Sequence, residues 1–424
     1  MRVTLGSSVR PDEGSDLRRR QPITSLLIVL RRYDRRFWTL LLIQLIVAVG
    51  FGAAMPFVSL YLHTQLDVPM TTVGIMMLVS ALVASGGRIV GGEIADRLGR
   101  RPLLLVGMSA RVIVFALMAV AIYLRWSVWT VGSIFLLIRL VGAAVRPGLT
   151  AMVADIVPSE NRVEAYALFR IGSNAGWAIG PAIGGFLVSV SYASLFVLTT
   201  CASLIGVILV FLFIRESIQT AETERFALRR VLDVGRDLRF LVFCGWSVLL
   251  FIVMGQFAST LAVFSTQTIG ISEAQLGWLF TINGIVVVLF QWPAARLAAR
   301  VGIRWGLVLG CLGYALGYFT VGLVPGFGFL IGSMVIITLG EVTFSPTSMA
   351  AVANMAPAAR VGRYMGFFGL TEALGWSLGP FIGGILYDRL AHVPVLLWSI
   401  IAVIGVIAAL GFMVTQARES ARRS

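Results

Sequence analysis

Charge is what this chain has least of. Only 13% of its 424 residues are charged while 58% are hydrophobic, whereas a soluble domain carries about a quarter charged. Soluble cores stop growing near this length and the chain splits into domains. A soluble enzyme, a nucleic-acid binder and a secreted disulfide scaffold are therefore disfavoured, despite a net charge of +14. Lysine is missing altogether: all 34 basic residues are arginine, which reads as the mark of a GC-rich genome rather than of a chemistry. The three cysteines, Cys201, Cys244 and Cys311, sit far apart inside apolar runs, without the spacing of metal ligands or of a disulfide framework. The two histidines, His63 and His392, stand at the ends of apolar runs and receive no role. Clustered His, Cys or Asp pairs of the kind a catalytic or metal site needs are lacking, so no enzyme, cofactor or metal is expected.

What is present is a series of long apolar runs. A membrane span needs about 20 mostly apolar residues, and twelve such runs can be drawn, at 37–62, 71–94, 103–124, 128–152, 164–188, 193–214, 240–266, 274–295, 305–324, 328–352, 364–386 and 394–416. If the N-terminus lies in the cytoplasm, 27 of the 34 arginines fall in cytoplasmic segments, and only Arg125 and Arg389 in outer loops. That asymmetry follows the positive-inside rule. Residues 1–36 hold nine arginines, too long and too charged a stretch for a signal peptide. They read as a cytoplasmic arm. The expected organisation is that arm, a six-helix bundle over 37–214, a cytoplasmic linker over 215–239, a second bundle over 240–416 and a cytoplasmic tail over 417–424. Both termini are expected inside, in the inner membrane of a prokaryote, with lipid as the surrounding partner and no nucleic acid.

The two halves repeat. GWAIGPAIGG at 176–185 is matched by GWSLGPFIGG at 375–384, and Pro147, Asp155, Pro158 and Phe169 by Pro346, Asn354, Pro357 and Phe368 in the same register. Earlier in each half Gly52, Gly74, Arg97, Gly99 and Arg101 meet Gly255, Gly277, Arg300, Gly302 and Arg304. Odd spans match odd spans, so the duplication is parallel. Parallel six-plus-six repeats are the architecture of the major facilitator transporters.

Specific motifs carry the same resemblance. Gly92-Glu93-Ile94-Ala95-Asp96-Arg97-Leu98-Gly99-Arg100-Arg101 fits the loop pattern G-x-x-x-D-R-x-G-R-[RK] of that superfamily. Gly92 is expected to permit close helix approach and Gly99 a tight turn. The resemblance implies that Asp96 latches onto the N-terminus of span eleven, where the helix dipole favours a carboxylate, and that Arg97 or Arg101 pairs with Asp155. Ala299 replaces the aspartate in the second copy, so only the first could latch. The second motif is GxxxGPxxGG, at Gly176, Gly180, Pro181, Gly184 and Gly185 and again at Gly375, Gly379, Pro380, Gly383 and Gly384. Glycines four apart let another backbone approach, and proline bends the span. This motif resembles the antiporter signature of drug:proton exporters, where it is usually confined to span five, so that the copy in span eleven is a departure. Trp177 and Trp376 recur with it as packing wedges.

Charges inside spans complete the reading. Glu341 and Glu372 lie within spans ten and eleven, and Arg88, Arg111, Arg139, Arg146 and Arg170 within others. Arg139 partly matches the exporters' R-x-x-Q-G-x-x-A pattern, with Val141 in place of the Gln. An ionised group at mid-bilayer costs about 3 kcal/mol or more and normally faces a cavity or a partner. Burial favours the neutral acid and a nearby guanidinium the charged one, so such an acid can carry a proton. Glu341 is the first candidate, followed by Glu372 and Arg139; a packing role for Glu341 is the alternative. Gln44, Phe51, Met55, Gln256, Phe257, Asn283, Gln291 and Phe344 are candidates to line a mostly apolar substrate cavity. The expectation is an all-α, twelve-span protein of two pseudo-symmetric bundles. It would act as a functional monomer and export small lipophilic or amphiphilic compounds in exchange for protons. A transporter of one metabolite such as a sugar, amino acid or siderophore, or more remotely a lipid scramblase or membrane enzyme, stands as the alternative.

Overall fold

The computed structural model describes residues 33–158, 161–216, 233–357 and 360–423, without the side chains of Asp96, Val163, Asp233, Ala299 and residues 416–423. The arginine-rich arm up to residue 32 and residues 217–232 of the linker lie outside the described residues. The described chain is helical throughout, with no strand. The first half forms α1 (Arg35–Thr64), α2 (Met70–Leu98), α3 (Arg100–Tyr123), α4 (Val128–Ile156), α5 (Arg162–Val188) and α6 (Tyr192–Phe213). After a single 3-10 turn, the second half forms α7 (Leu238–Met254), α8 (Thr260–Gln267), α9 (Glu273–Ala298), α10 (Arg300–Val321), α11 (Phe327–Met355), α12 (Val361–Leu390) and α13 (Pro394–Arg423).

Local chemistry sets many of the ends. Asp34, Ser127 and Ser191 cap α1, α4 and α6 through their side-chain oxygens, and Ser272 with Gln275 forms a reciprocal capping box on α9. Between α2 and α3 the chain turns at Gly99 with φ 101°, and just after α9 it turns at Gly302, the third residue of α10, with φ 84°. Glycine adopts that backbone without a Cβ penalty. The matched pair shows the duplication extending to backbone geometry.

Each of the twelve expected spans is helical, and one is broken. Span seven divides into α7 and α8 after Met254. There the Gln256 amide donates to the Ile252 carbonyl at 3.0 Å and to the Gly379 carbonyl at 2.8 Å, which stitches the break to α12. Nine of the described helices are long and apolar enough to cross a membrane. α7 is too short, and α5 and α12 fall below that mark because their motif glycines and polar residues dilute the apolar content. An apolar exterior including Leu82, Val106, Ile113, Phe186, Phe211 and Phe329 is exposed, as hydrocarbon surroundings require.

The helices pair identically in the two halves. In the first bundle α1 packs on α5, α2 on α4 and α3 on α6; in the second α7 packs on α12, α9 on α11 and α10 on α13. The bundles meet along two seams, α2 with α12 and α5 with α9. The second core centres on Trp398, stacked on Tyr318 at 5.5 Å with Phe264 at its edge.

Candidate functional site: the seam between the bundles

The GxxxGPxxGG helices do two jobs each. In α5, Gly176, Gly180 and Gly184 face α1: a Cβ on Gly180 would stand 2.6 Å from the Val49 carbonyl oxygen, and one on Gly184 would run into the Ala53 carbonyl. Gly185 faces the other bundle, 2.6 Å from the Glu273 carbonyl of α9 on the same measure. The α12 copy repeats this. Gly375, Gly379 and Gly383 lie on α7 and the Gln256 break, and Gly384 lies on Met70 of α2. The second copy therefore packs as the first does, three glycines within a bundle and one between bundles. Trp177 is 38% exposed and meets Phe51 edge-on at 5.8 Å.

At one face of the molecule the two seams are shut. Gly74 of α2 abuts Pro380 and Phe381 of α12, and Gly277 abuts Pro181. Thr281 donates to the Ala178 carbonyl at 3.0 Å. Asp388, at the end of α12, accepts from the backbone N–H of Met70 at 2.9 Å and of Thr71 at 2.8 Å, and so caps the N-terminus of α2 across the gap. At the opposite face, which carries the Gly99 and Gly302 turns, Gly92 of α2 and Gly362 and Gly369 of α12 have nothing within 4 Å of a Cβ position. Val90, Ile89, Leu370 and Leu374 are exposed there. The space between the bundles is open on this basic face.

The motif loop differs from expectation in two contacts. Asp155 pairs with Arg100 at 2.7 Å rather than with Arg97 or Arg101. Arg97 closes the last turn of α2 and pairs with Glu93 four residues back, whereas Arg100 opens α3 beside the end of α4. Arg101 donates instead to the Phe211 carbonyl at 3.2 Å, and Glu216 accepts from the Arg100 and Arg101 N–H groups. Close approach also falls to other glycines. Gly87 and Gly91 of α2 lie on Leu140 and Ala144 of α4, while Gly92 has no neighbour. One residue turns a helical position by about 100°, so Gly91 and Gly92 cannot serve the same face. The Asp96 side chain lies outside the described residues.

Of the charges within spans, Glu341 is held by neutral groups. The Asn283 amide of α9 donates to its Oε2 at 3.0 Å and to Thr338 at 2.9 Å. Tyr314 and Tyr318 of α10 lie within electrostatic reach, and no arginine stands within ion-pair distance among the described residues. Glu372 is different: the basic groups acting on it are Arg170, Arg146 and Arg88 of the other bundle. Arg139 is half-buried and Arg111 only 5% exposed, its guanidinium beside Phe115.

The cavity candidates separate. Gln44, Phe51, Met55, Phe257, Asn283 and Gln291 are half-buried. Gln256 and Phe344 are 0% exposed and are not cavity-lining in this conformation. Gln256 is consumed by the α7–α8 break, and Phe344 packs at 6.0 Å from both Phe251 and Phe412 inside the second bundle. Sequence reading also missed Asp388 and Thr338. The first offered only an acid at a span end, and the second no more than one of many threonines.

Residues 40–265 and 240–424 match the family model described as Major Facilitator Superfamily. The chain is 31% identical over 383 residues to the multidrug resistance protein MdtH of Yersinia enterocolitica, covering 88% of this chain and 92% of that one. It is 28% identical over 396 residues to MdtH of Escherichia coli, covering 90% and 95%. The MFS-type transporter YttB of Bacillus subtilis, described as uncharacterized, is 26% identical over 80% of this chain and 85% of its own. Among solved structures, the nucleoside transporter NupG superposes with a TM-score of 0.76 at 15% identity, covering 90% of this chain and 99% of that one. A POT family transporter complexed with 5-aminolevulinic acid gives 0.72 at 17%, covering 91% and 96%. At those identities the likeness is one of fold.

Proposed function

The chain belongs to the major facilitator superfamily and is a multi-pass membrane transporter; on that footing we propose that it exports small lipophilic or amphiphilic compounds in exchange for protons. The names of the Yersinia and Escherichia relatives support the multidrug class. The arginine-rich face is assigned to the cytoplasm of a bacterial inner membrane by the positive-inside rule, with both termini inside. The conformation is then inward-open. Transport proceeds by rocking the bundles of 37–214 and 240–416, in one functional monomer, so that the seams open outside and close inside. In the closed-inside state Gly92 and Asp96 of α2 meet the start of α12.

The observation that carries the exchange reading is the setting of Glu341. It is a carboxyl group within a span, held by the Asn283 amide with no cation in ion-pair distance among the described residues. An amide can stabilise either protonation state, since its N–H donates to a carboxylate and its carbonyl accepts from a carboxylic acid. Glu341 takes a proton outside and releases it inside, while Glu372 and Arg139 link the bundles' charges to the cycle. Glu341→Gln keeps the shape and the Asn283 contact but cannot ionise. In proteoliposomes it should fold and bind dye yet lose efflux driven by a pH gradient; unchanged gradient-driven efflux would remove Glu341 from the mechanism.

A further inference from the structure

Five arginines lie within spans of the first bundle, and four of them converge on one side of the inter-bundle space. In α4, Arg139 and Arg146 are seven residues apart and share a helix face. The neighbouring faces are spoken for: Leu140 and Ala144 lie against Gly87 and Gly91 of α2, and Val145 and Gly148 against α3. The arginine face is left turned toward the second bundle. Arg88 of α2, between the two clasping glycines, is close enough to act on both Arg139 and Arg146. Arg170 of α5 completes the group through Glu372, the acid it shares with Arg146 and Arg88. Arg88, Arg146 and Arg170 are exposed and Arg139 is half-buried.

The group is far from neutral. Glu372 acts on three of these guanidiniums, Arg170, Arg146 and Arg88, and among the described residues none of the four forms an ion pair within 4 Å. Arg139 Nε is buried without a hydrogen-bond partner. Behind it Arg111, 95% buried, leaves Nε and Nη2 unpartnered, and its Nη1 lies 3.0 Å from a Cβ position on Gly142, between Arg139 and Arg146 on α4. Uncompensated charge at membrane depth is costly unless it faces a cavity that supplies a counter-charge. Apolar walls also focus the field and concentrate ions of opposite sign.

We propose that the Arg146, Arg88, Arg170 and Arg139 cluster is a binding site for the anionic group, a carboxylate or sulfonate, of an amphiphilic substrate whose apolar body lies against Phe51, Met55 and Trp177. This rests on the transporter reading above and adds the charge of the substrate. Guanidinium groups match such oxyanions in bidentate geometry. Glu372 occupies the group from the second bundle when no substrate is present.

The test uses the whole protein in phosphatidylcholine nanodiscs, titrated with 7-(diethylamino)coumarin-3-carboxylic acid and with its neutral carboxamide, read by fluorescence anisotropy. The acid should bind about tenfold tighter or more, as expected for one charged hydrogen-bonding group, and added salt should narrow the gap. Arg139→Gln/Arg146→Gln should bring the acid to the level of the amide while amide binding persists, which reports a folded cavity. If that variant loses the amide as well, the exposed pair Arg88→Gln/Arg170→Gln carries the same expectation. Equal affinities in the unaltered protein, no binding of the acid, or a preference that survives these variants would overturn the proposal. Doping the discs with phosphatidylglycerol separates the other source of an anion: unchanged acid affinity supports a substrate site, and loss of acid binding overturns it in favour of a lipid headgroup. An intact acid preference with efflux indifferent to pH would refute proton exchange and leave this site standing. Gradient-driven efflux without acid preference would do the reverse.

Discussion

Replacing Asp388 with alanine should loosen the closed seam between α2 and α12 without touching the cavity. In the closed seam its carboxylate accepts two backbone N–H groups from the first turn of α2, at 2.9 and 2.8 Å. Removing a helix cap costs about 1–2 kcal/mol, and a negative charge at a helix N-terminus contributes up to about 1 kcal/mol more. Once the seam opens, water takes over both the N–H groups and the carboxylate, so only the difference counts. A net loss of about 2 kcal/mol would raise the ratio of molecules with this seam open to those with it shut about 30-fold. Asp388→Asn keeps an acceptor oxygen but not the charge, and should give an intermediate shift of about fivefold, near 1 kcal/mol. Spin labels at Gln65 and His392, exposed at the ends of α1 and α12 on the closed face, report the opening by double electron–electron resonance. The long-distance population should grow in the order of the unaltered protein, Asp388→Asn, Asp388→Ala. Identical distance distributions in all three would refute the idea that this cap holds the seam shut.

Two further outcomes follow from contacts already described. Gly180→Val and Gly379→Val each drive a side chain into backbone about 2.6–2.7 Å away, which should cost at least about 1–3 kcal/mol; size-exclusion profiles should show loss of monodisperse protein for both, whereas Gly92→Val should remain monodisperse because that side of α2 is vacant. In the Arg100–Asp155 pair the side chains are only 14% and 15% exposed, so Arg100→Ala should lower the melting temperature more than Arg97→Ala, whose pair is solvent-exposed. A double-mutant cycle with Asp155→Ala should give a coupling of about 1 kcal/mol or more, and a coupling near zero would show that the pair is incidental.

The resemblance between the chain's two halves was legible because it is written in local signals. The ten-residue glycine motif recurs in full, and the Gly99 and Gly302 turns are flagged by glycine before a basic helix start. Expected partners were less secure. Asp155 has three arginines within a few residues of one another to choose from, and Arg100 is selected only because it begins α3 where α4 ends. Gly92 fits the motif yet faces open space, while Gly91 beside it meets Ala144. Phe344 and Gln256 have the residue types of a cavity wall but turn into the second bundle. Glu341 was visible as a lone acid in an apolar run; its Asn283 partner, on a different helix, was not.

Span number, duplication and the concentration of arginine on one face are properties of the chain read in order, because hydropathy and turn chemistry act over a few residues. Which seam is shut, which arginine meets which acid, and which guanidiniums gather near Glu372 depend on how α2, α4, α5 and α12 pack. Those helices are brought together from positions about 80 to 370 in the chain, and a rotation of one residue, about 100°, redirects every side chain on them. That is why the scarcity of charge could be counted beforehand, while its arrangement around the inter-bundle space had to be seen.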